Sequence, residues 1–286
     1  MRVGVYPTWE IRNPKQIRNS KSECSKPGKH CQSWLVAEQG LRFNRAMRNP
    51  ILVALDLPGA DAALELAGQL APVVGGFKIG SELFTTAGPD IVRRIRDTGA
   101  AVFLDLKFHD IPNTVTKAVA AATRLDVQML TVHTCGGLEM MRAAELSAQG
   151  TARQAGRAAP LLLGVTVLTS MDGAALAETG FESNVGRQVE RLAQLAMKAG
   201  LRGLVCSPLE IAGLRQWLPD SVQLVTPGIR AGTEPGDDQK RTLSAMEALE
   251  AGASWLVIGR PIYAAKSPRA EAEALLESIA GAGTNE

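Results

Sequence analysis

Residues 101–132 read AVFLDLKFHDIPNTVTKAVAAATRLDVQMLTV. The stretch opens on a short apolar run, Ala101–Leu106, whose hydrophobicity is close to continuous rather than alternating. That is the pattern of a strand buried on both faces, as in a parallel sheet. Pro112 then stands where a helix begins, a position at which its missing N–H costs nothing. Asn113–Leu125 spaces its apolar residues at helical intervals, and a second apolar run follows at Val127–Val132. Strand, helix and strand joined by short connections form one unit of a parallel α/β sheet.

The unit repeats in both directions. Upstream lie the apolar runs Ile51–Leu57 and Val73–Ile79; downstream lie Leu161–Val167, Gly203–Cys206, Val222–Val225 and Trp255–Ile258, which brings the strands to eight. Helical spacing fills the intervals at Asp61–Leu70, Ser81–Asp97, Leu138–Ser147, Val185–Lys198, Leu209–Leu218 and Thr242–Ala251, and Pro268–Ile279 closes the chain. Pro208 and Pro261 again follow strands, while Gly99, Gly200 and Gly252 stand where helices end. Eight such units between residues 50 and 286 match the usual length of a (β/α)8 TIM barrel, about 250 residues. An open doubly wound sheet would carry a Gly-rich fingerprint after its first strand. Here that position reads Asp56-Leu57-Pro58-Gly59, so the sequence predicts a single-domain α/β barrel over residues 49–286.

Composition narrows the class. Hydrophobic residues make up 45% and charged residues 21%, ordinary values for a soluble globular enzyme. The net charge of +2 is unevenly placed, because residues 1–50 hold ten Lys/Arg against three Asp/Glu. The folded body is therefore acidic and gives no reason to expect nucleic-acid binding. Residues 1–48 are basic, interrupted by Pro7, Pro14 and Pro27, and lack the apolar core of a secretory signal. They are expected to form a disordered extension, with Met47 as an alternative first residue. The grouping Cys24, His30 and Cys31 fits no zinc spacing, and four cysteines are too few for a disulfide framework, which suits a reducing cytoplasm. No stretch approaches the roughly 18 apolar residues that span a membrane.

In this architecture the chemistry stands at the C-terminal ends of the strands. Those ends supply Asp56, Lys78, the run Asp105-Leu106-Lys107-Phe108-His109-Asp110, His133, Thr166 and Thr169, Ser207, Pro227-Gly228-Ile229-Arg230, and Gly259-Arg260. Asp105 and Lys107 are two apart, so a regular strand would aim both into the barrel mouth. With Asp56 and Lys78 they form an alternating cluster of carboxylates and ammoniums. Such a cluster at one rim points to a reaction centre, the alternative being an ion-pair plug. The loops after strands 7 and 8 are the usual phosphate grip of the fold, and here they offer Gly228, Arg230, Gly259 and Arg260. His109 and His133 read equally well as packed, hydrogen-bonded residues, and Cys135 and Cys206 as small buried side chains.

The block Asp105-Leu106-Lys107-Phe108-His109-Asp110-Ile111-Pro112-Asn113-Thr114 resembles the signature of the orotidine 5′-phosphate decarboxylases. Leu55-Asp56, Lys78-Ile79-Gly80, Leu168-Thr169-Ser170, Thr226-Pro227-Gly228-Ile229-Arg230 and Ile258-Gly259-Arg260-Pro261 are similar to that family's other blocks, in the same order, over about residues 50–270. The resemblance implies decarboxylation of orotidine 5′-phosphate to uridine 5′-phosphate in pyrimidine biosynthesis, without cofactor or metal. It implies that Lys107 protonates C6, that Asp105, Lys107 and Asp110 form the charged array, and that Asp110 comes from the partner subunit of a homodimer. Asp56 and Lys78 resemble the ribose contacts, Thr114 and Thr169 further substrate contacts, and Arg230, Gly259 and Arg260 the phosphate grip. Gln239 resembles the glutamine that closes over phosphate and base.

Two rivals share the barrel. Magnesium-dependent sugar-phosphate decarboxylases and aldolases keep a similar Asp-x-Lys-x-x-Asp block but place an acidic ligand where this chain has Lys78, and an ammonium there would repel a divalent cation. A non-catalytic nucleotide-binding barrel would be expected to lose a charged residue of the cluster, and none is missing.

Overall fold

The computed structural model describes residues 49–230 and 243–280. Strands β1 (Ile51–Ala54), β2 (Gly76–Gly80), β3 (Ala101–Phe108), β4 (Met129–His133), β5 (Leu161–Val165), β6 (Gly203–Val205), β7 (Gln223–Pro227) and β10 (Trp255–Ile258) close into a barrel, β10 pairing with β1. Every neighbouring pair is parallel. A two-residue ribbon, β8 (Ile229–Arg230) with β9 (Leu243–Ser244), stands apart from it. The closed barrel is the architecture that the eight apolar runs predict.

The continuous hydrophobicity of those runs now has its cause. Alternate strand residues point inward, where Leu52, Ala54, Phe103, Met129, Leu163 and Val257 are among those packing into a small inner core. The others point outward and join the helices in a larger layer, among them Val53, Phe77, Leu104, Leu130, Leu204 and Ile258. Fully burying one such side chain contributes roughly 1.5–3 kcal/mol, so the larger outer layer contributes most to stability. The inner core can therefore give way, at the mouth, to polar groups.

The helices are α1 (Ala60–Leu70), α2 (Ser81–Ala87), α3 (Asp90–Arg96), α4 (Pro112–Arg124), α5 (Gly137–Gln154), α6 (Gly173–Glu178), α7 (Val185–Ala199), α8 (Ile211–Arg215), α9 (Ala245–Glu250), α10 (Arg260–Tyr263) and α11 (Pro268–Ala280). Gly99, Gly200 and Gly252 follow helices with left-handed φ of 85°, 90° and 105°, as their positions in the sequence suggest.

Three expectations need correction. The helix expected over Ser81–Asp97 is two, because Gly88 turns left-handed (φ 66°) and Pro89 cannot continue the ladder. The segment Leu209–Leu218 is a 3-10 turn, Pro208–Glu210, followed by the short α8. The helix expected over Leu138–Ser147 runs on to Gln154, since Ala148 and Ala152 continue its buried face. The expectations for residues 1–48, including Cys24, His30 and Cys31, and for Gln239 lie outside the described residues.

At the floor of the barrel Arg215 fastens α8 to the segments flanking β7 and β10. Its guanidinium donates to the carbonyls of Gly252 (2.9 Å), Val222 (3.0 Å) and Pro219 (3.2 Å) and to Ser254 Oγ (3.2 Å). This anchoring sits at the strand ends opposite the mouth, so the two ends of the barrel are held by different residues.

Candidate active site

The C-terminal ends of the strands enclose a cavity of about 280 Å³, close to the size of a small-molecule site. Three arcs of the barrel build its wall. The ends of β1, β2 and β3 supply Asp56, Lys78, Asp105 and Lys107; β5, β6 and their loops supply an apolar face with Val165, Val167, Leu168, Thr169 and Cys206; β7 and β10 supply Pro227, Gly228, Gly259 and Arg260.

The charged arc is a continuous chain of contacts. Lys78 Nζ lies 2.8 Å from Asp56 Oδ1 and 4.0 Å from Asp105 Oδ2. Lys107 Nζ lies 2.7 Å from that same Asp105 oxygen. The middle of the chain is the most enclosed, with side-chain exposures of 12% for Lys78 and 11% for Asp105 against 48% for Asp56 and 35% for Lys107. Gly80 lies directly behind the first pair: a Cβ there would sit 3.1 Å from Lys78 Nζ and 3.3 Å from Asp56 Oδ1.

Asp105 and Lys107 converge as the sequence suggests, but not through regular strand alternation. The pairing of β3 with β4 shifts register between Leu104 and Phe108, and Lys107 has a left-handed backbone at φ 48°. A bulge of this kind re-aims a side chain. Thr131, fully buried on β4, holds it: the Lys107 N–H donates to Thr131 Oγ1 (2.8 Å), and the Thr131 hydroxyl donates to Asp105 Oδ1 (3.0 Å). Sequence reasoning missed Thr131. The available signal was a hydroxyl at an inward position within the apolar run Met129-Leu130-Thr131-Val132.

The other expected residues divide. Thr169, Gly259 and Arg260 line the cavity, with Arg260 opening the short α10. Gly228 lines it as well and turns the chain after β7 at φ 83°, a conformation that suits glycine. Arg230 is the second residue of β8, where it pairs with Ser244. Asp110 and Thr114 do not line the cavity of their own chain. Asp110 is exposed and its Oδ1 accepts from the Ile111 N–H (2.6 Å); Thr114 is exposed in the first turn of α4. Thr166 and Ser207, at strand ends, are buried and lie outside the cavity lining.

His109 and His133 stand beside Lys107 with ring centroids 5.6 Å apart. Burial pushes the pKa of His133 below the usual imidazole value; the nearby His109 and Lys107 add to this and Asp105 opposes it. Burial thus favours the neutral form of His133 beside the charged chain. Cys206 is buried as expected, but Cys135 is exposed, its Sγ 4.0 Å from His109 Nδ1. Its thiol pKa is raised by partial burial, which disfavours a reactive thiolate. Among the described residues no group of three or more His, Cys, Asp or Glu could hold a metal ion, and no helix is long and apolar enough to cross a membrane.

Known proteins share this sequence and fold. The chain is 51% identical to the orotidine 5′-phosphate decarboxylase of Opitutus terrae over 229 residues, covering 80% of this chain and 97% of that protein. It is 52% identical to the enzyme of the same name from Pseudomonas fluorescens SBW25 over 233 residues, covering 82% and 97%. A crystal structure of orotidine 5′-phosphate decarboxylase from Lactobacillus acidophilus superposes with a TM-score of 0.72 at 36% identity, covering 81% of this chain and 99% of that one. Residues 49–275 match the sequence model of one family across the whole barrel, and the chain belongs to it: the orotidine 5′-phosphate decarboxylase / HUMPS family.

Proposed function

We propose that this chain decarboxylates orotidine 5′-phosphate to uridine 5′-phosphate, a step of pyrimidine biosynthesis. The observation that carries the reading is the unbroken chain Asp56–Lys78–Asp105–Lys107 along one wall of a cavity whose neighbouring arc carries Gly228, Gly259 and Arg260. The names of the relatives at about 50% identity support the choice of substrate. Adding orotidine 5′-phosphate to the purified protein and following its near-ultraviolet absorbance tests it. Steady loss of substrate absorbance with release of CO2 is expected; an unchanged spectrum at micromolar enzyme would sink the proposal.

The reaction explains why these residue types are present. When the C6–carboxylate bond breaks, CO2 departs and the electron pair stays on C6, in the plane of the ring. The π system cannot absorb a pair held there, so its stabilisation must be electrostatic. A fixed ammonium beside C6 supplies that and then delivers its proton, forming the C6–H bond of the product. Lys107 is suited to both tasks, since Asp105 holds its Nζ at 2.7 Å. Asp56 and Lys78 would contact the ribose, and Thr169 the substrate beside the apolar face. Gly259 and the forks of Arg230 and Arg260 would grip the phosphate, with Gln239 closing over it. Binding energy from the remote phosphate can then be used to hold the base against Lys107.

The reading extends to assembly. Asp110 and Thr114 would serve the cavity of a partner subunit in a two-fold dimer, for which their exposure outside their own chain's cavity is the support. The reaction would run without a cofactor or metal: a hard divalent cation needs several oxygen ligands, and between Asp56 and Asp105 this site already places the ammonium of Lys78. Residues 1–48 would be a separate basic extension, the catalytic unit being the barrel, and the enzyme would work in the cytoplasm.

A further inference from the structure

We propose that Thr131 is a positioning residue for the decarboxylation, its one hydroxyl setting both the Asp105 carboxylate and the backbone that presents Lys107. The inference rests on the reading of the site as a decarboxylation centre, but its physical content does not.

Thr131 lies on β4, fully buried and outside the lining of the cavity, so it has no reach to a substrate. Its two hydrogen bonds have only one possible sense. A backbone N–H can only donate, so at Lys107 the hydroxyl oxygen accepts (2.8 Å). A carboxylate can only accept, so toward Asp105 Oδ1 the hydroxyl donates (3.0 Å). One atom therefore grips both ends of the tripeptide Asp105-Leu106-Lys107.

That tripeptide needs gripping. Register slips between Leu104 and Phe108, and Lys107 stands at φ 48°, in a region a lysine rarely adopts. The side-chain hydroxyl of the neighbouring strand takes the amide hydrogen bond at that point. The carboxylate has a related problem, because the terminal torsion of an aspartate is broad and roughly two-fold. With Oδ1 held by Thr131, Oδ2 meets both ammoniums, at 2.7 Å from Lys107 and 4.0 Å from Lys78. Without the hydroxyl the carboxylate can turn and the Lys107 amide loses its acceptor, while the cavity wall is unchanged. The effect belongs in the chemical step rather than in binding.

Thr131→Val keeps the shape and removes the hydroxyl, Thr131→Ala removes it with less bulk, and Thr131→Ser keeps it. In steady-state assays with orotidine 5′-phosphate, the Val and Ala variants should lose about 10- to 100-fold in kcat, the scale on which misplacing a reacting group acts. Their KM should stay within about twofold, and Ser should recover kcat to within a few-fold. Exchange of the Lys107 amide hydrogen, which needs no turnover, should be at least about tenfold faster in the Val or Ala variant that folds and remain slow in Ser. Wild-type kcat in a folded Val or Ala variant, a kcat loss that Ser shares in full, or unaltered Lys107 exchange would each overturn the proposal. If the wild type itself fails to turn over the substrate, the reading of the function falls instead, and the exchange measurement still decides whether Thr131 holds Lys107.

Discussion

Lys107 Nζ and Asp105 Oδ2 meet at 2.7 Å across a bulge in β3, not along a regular strand, because the backbone at Lys107 is left-handed. The pair thus depends on a local distortion, and the distortion aims the lysine along a cavity wall that also carries Lys78 and Asp56. Chemistry that needs one fixed ammonium is served by this arrangement.

Replacing that ammonium is the most direct check. Lys107→Ala should lower kcat by at least about 10³-fold, since both charge stabilisation and the proton are lost. Binding of uridine 5′-phosphate should survive within about tenfold, because Gly259 and Arg260 are untouched. Titration calorimetry beside the absorbance assay reads the two effects separately. A variant that turns over near normally would remove Lys107 from the role of proton donor.

The proposed sharing of Asp110 between subunits is tested by subunit exchange. Lys107→Ala and Asp110→Ala dimers, each inactive, are mixed in equal amounts and allowed to re-equilibrate. Half of the dimers are then mixed, and each mixed dimer holds one site with both lesions and one site with none. Roughly a quarter of all sites should regain activity. Demonstrated exchange with no recovery would place Asp110 in its own chain's site.

Gly80 offers a finer probe of the ribose contacts proposed for Asp56 and Lys78. Its φ of −90° is open to any residue, so Gly80→Ala carries no backbone penalty. The new Cβ, however, would press on Lys78 Nζ at 3.1 Å and Asp56 Oδ1 at 3.3 Å. Displacing one substrate hydrogen bond by a few tenths of an ångström should cost about 1 kcal/mol, or roughly fivefold in KM. The melting temperature should hardly move. Unaltered steady-state constants would show that the Asp56–Lys78 pair yields without consequence.

Away from the mouth, Glu145 on α5 predicts a dependence of stability on pH. Its carboxyl is buried; Oε1 accepts from Gln149 (2.7 Å) with Arg202 only at 3.9 Å, and Oε2 has no hydrogen-bond partner among the described residues. Burial pushes its pKa up, with the hydrogen bond and the arginine opposing. A group whose folded pKa is raised contributes fully below its unfolded value and loses that contribution as pH rises through the folded value. Ionised Glu145 therefore weakens the fold near neutrality. Urea unfolding of Glu145→Gln and wild type should show the variant gaining on the wild type between pH 5 and pH 8. Parallel curves over that range would assign no such cost to Glu145.

Much of this was legible in the sequence because the barrel buries its strands on both faces, and continuous apolar runs such as Leu161–Val165 then mark strands without any periodicity. The rim was legible for the same reason. Asp56, Lys78, Asp105 and Lys107 are ionisable residues at the ends of such runs, and the cavity gathers all four. What stayed hidden depends on distance along the chain or on local backbone geometry. Thr131 reads as an ordinary β-branched strand residue, and only the fold brings its hydroxyl to groups 24 and 26 positions away. The bulge at Lys107 leaves no mark in a pattern of side chains. Helix α6 is six residues long, too short for apolar spacing to register, and is set by the Asp172 side chain accepting from the Ala175 N–H. Asp110 could be ranked by resemblance but not located, since nothing in one chain's pattern says whose cavity it faces.

The left-handed backbone at Lys107 has an evolutionary edge. A side chain beyond glycine in that region costs roughly 1–2 kcal/mol, partly offset by the greater freedom glycine would have unfolded. A library sorted only for melting temperature would weigh that strain against the Lys107–Asp105 ion pair, since without the lysine Asp105 Oδ2 keeps only Lys78 at 4.0 Å. One sorted for turnover would keep lysine whichever way that balance falls. Thermostabilising this scaffold is thus a matter of leaving that residue alone and working on the floor, where Arg215 and its carbonyl partners stand at the strand ends opposite the cavity.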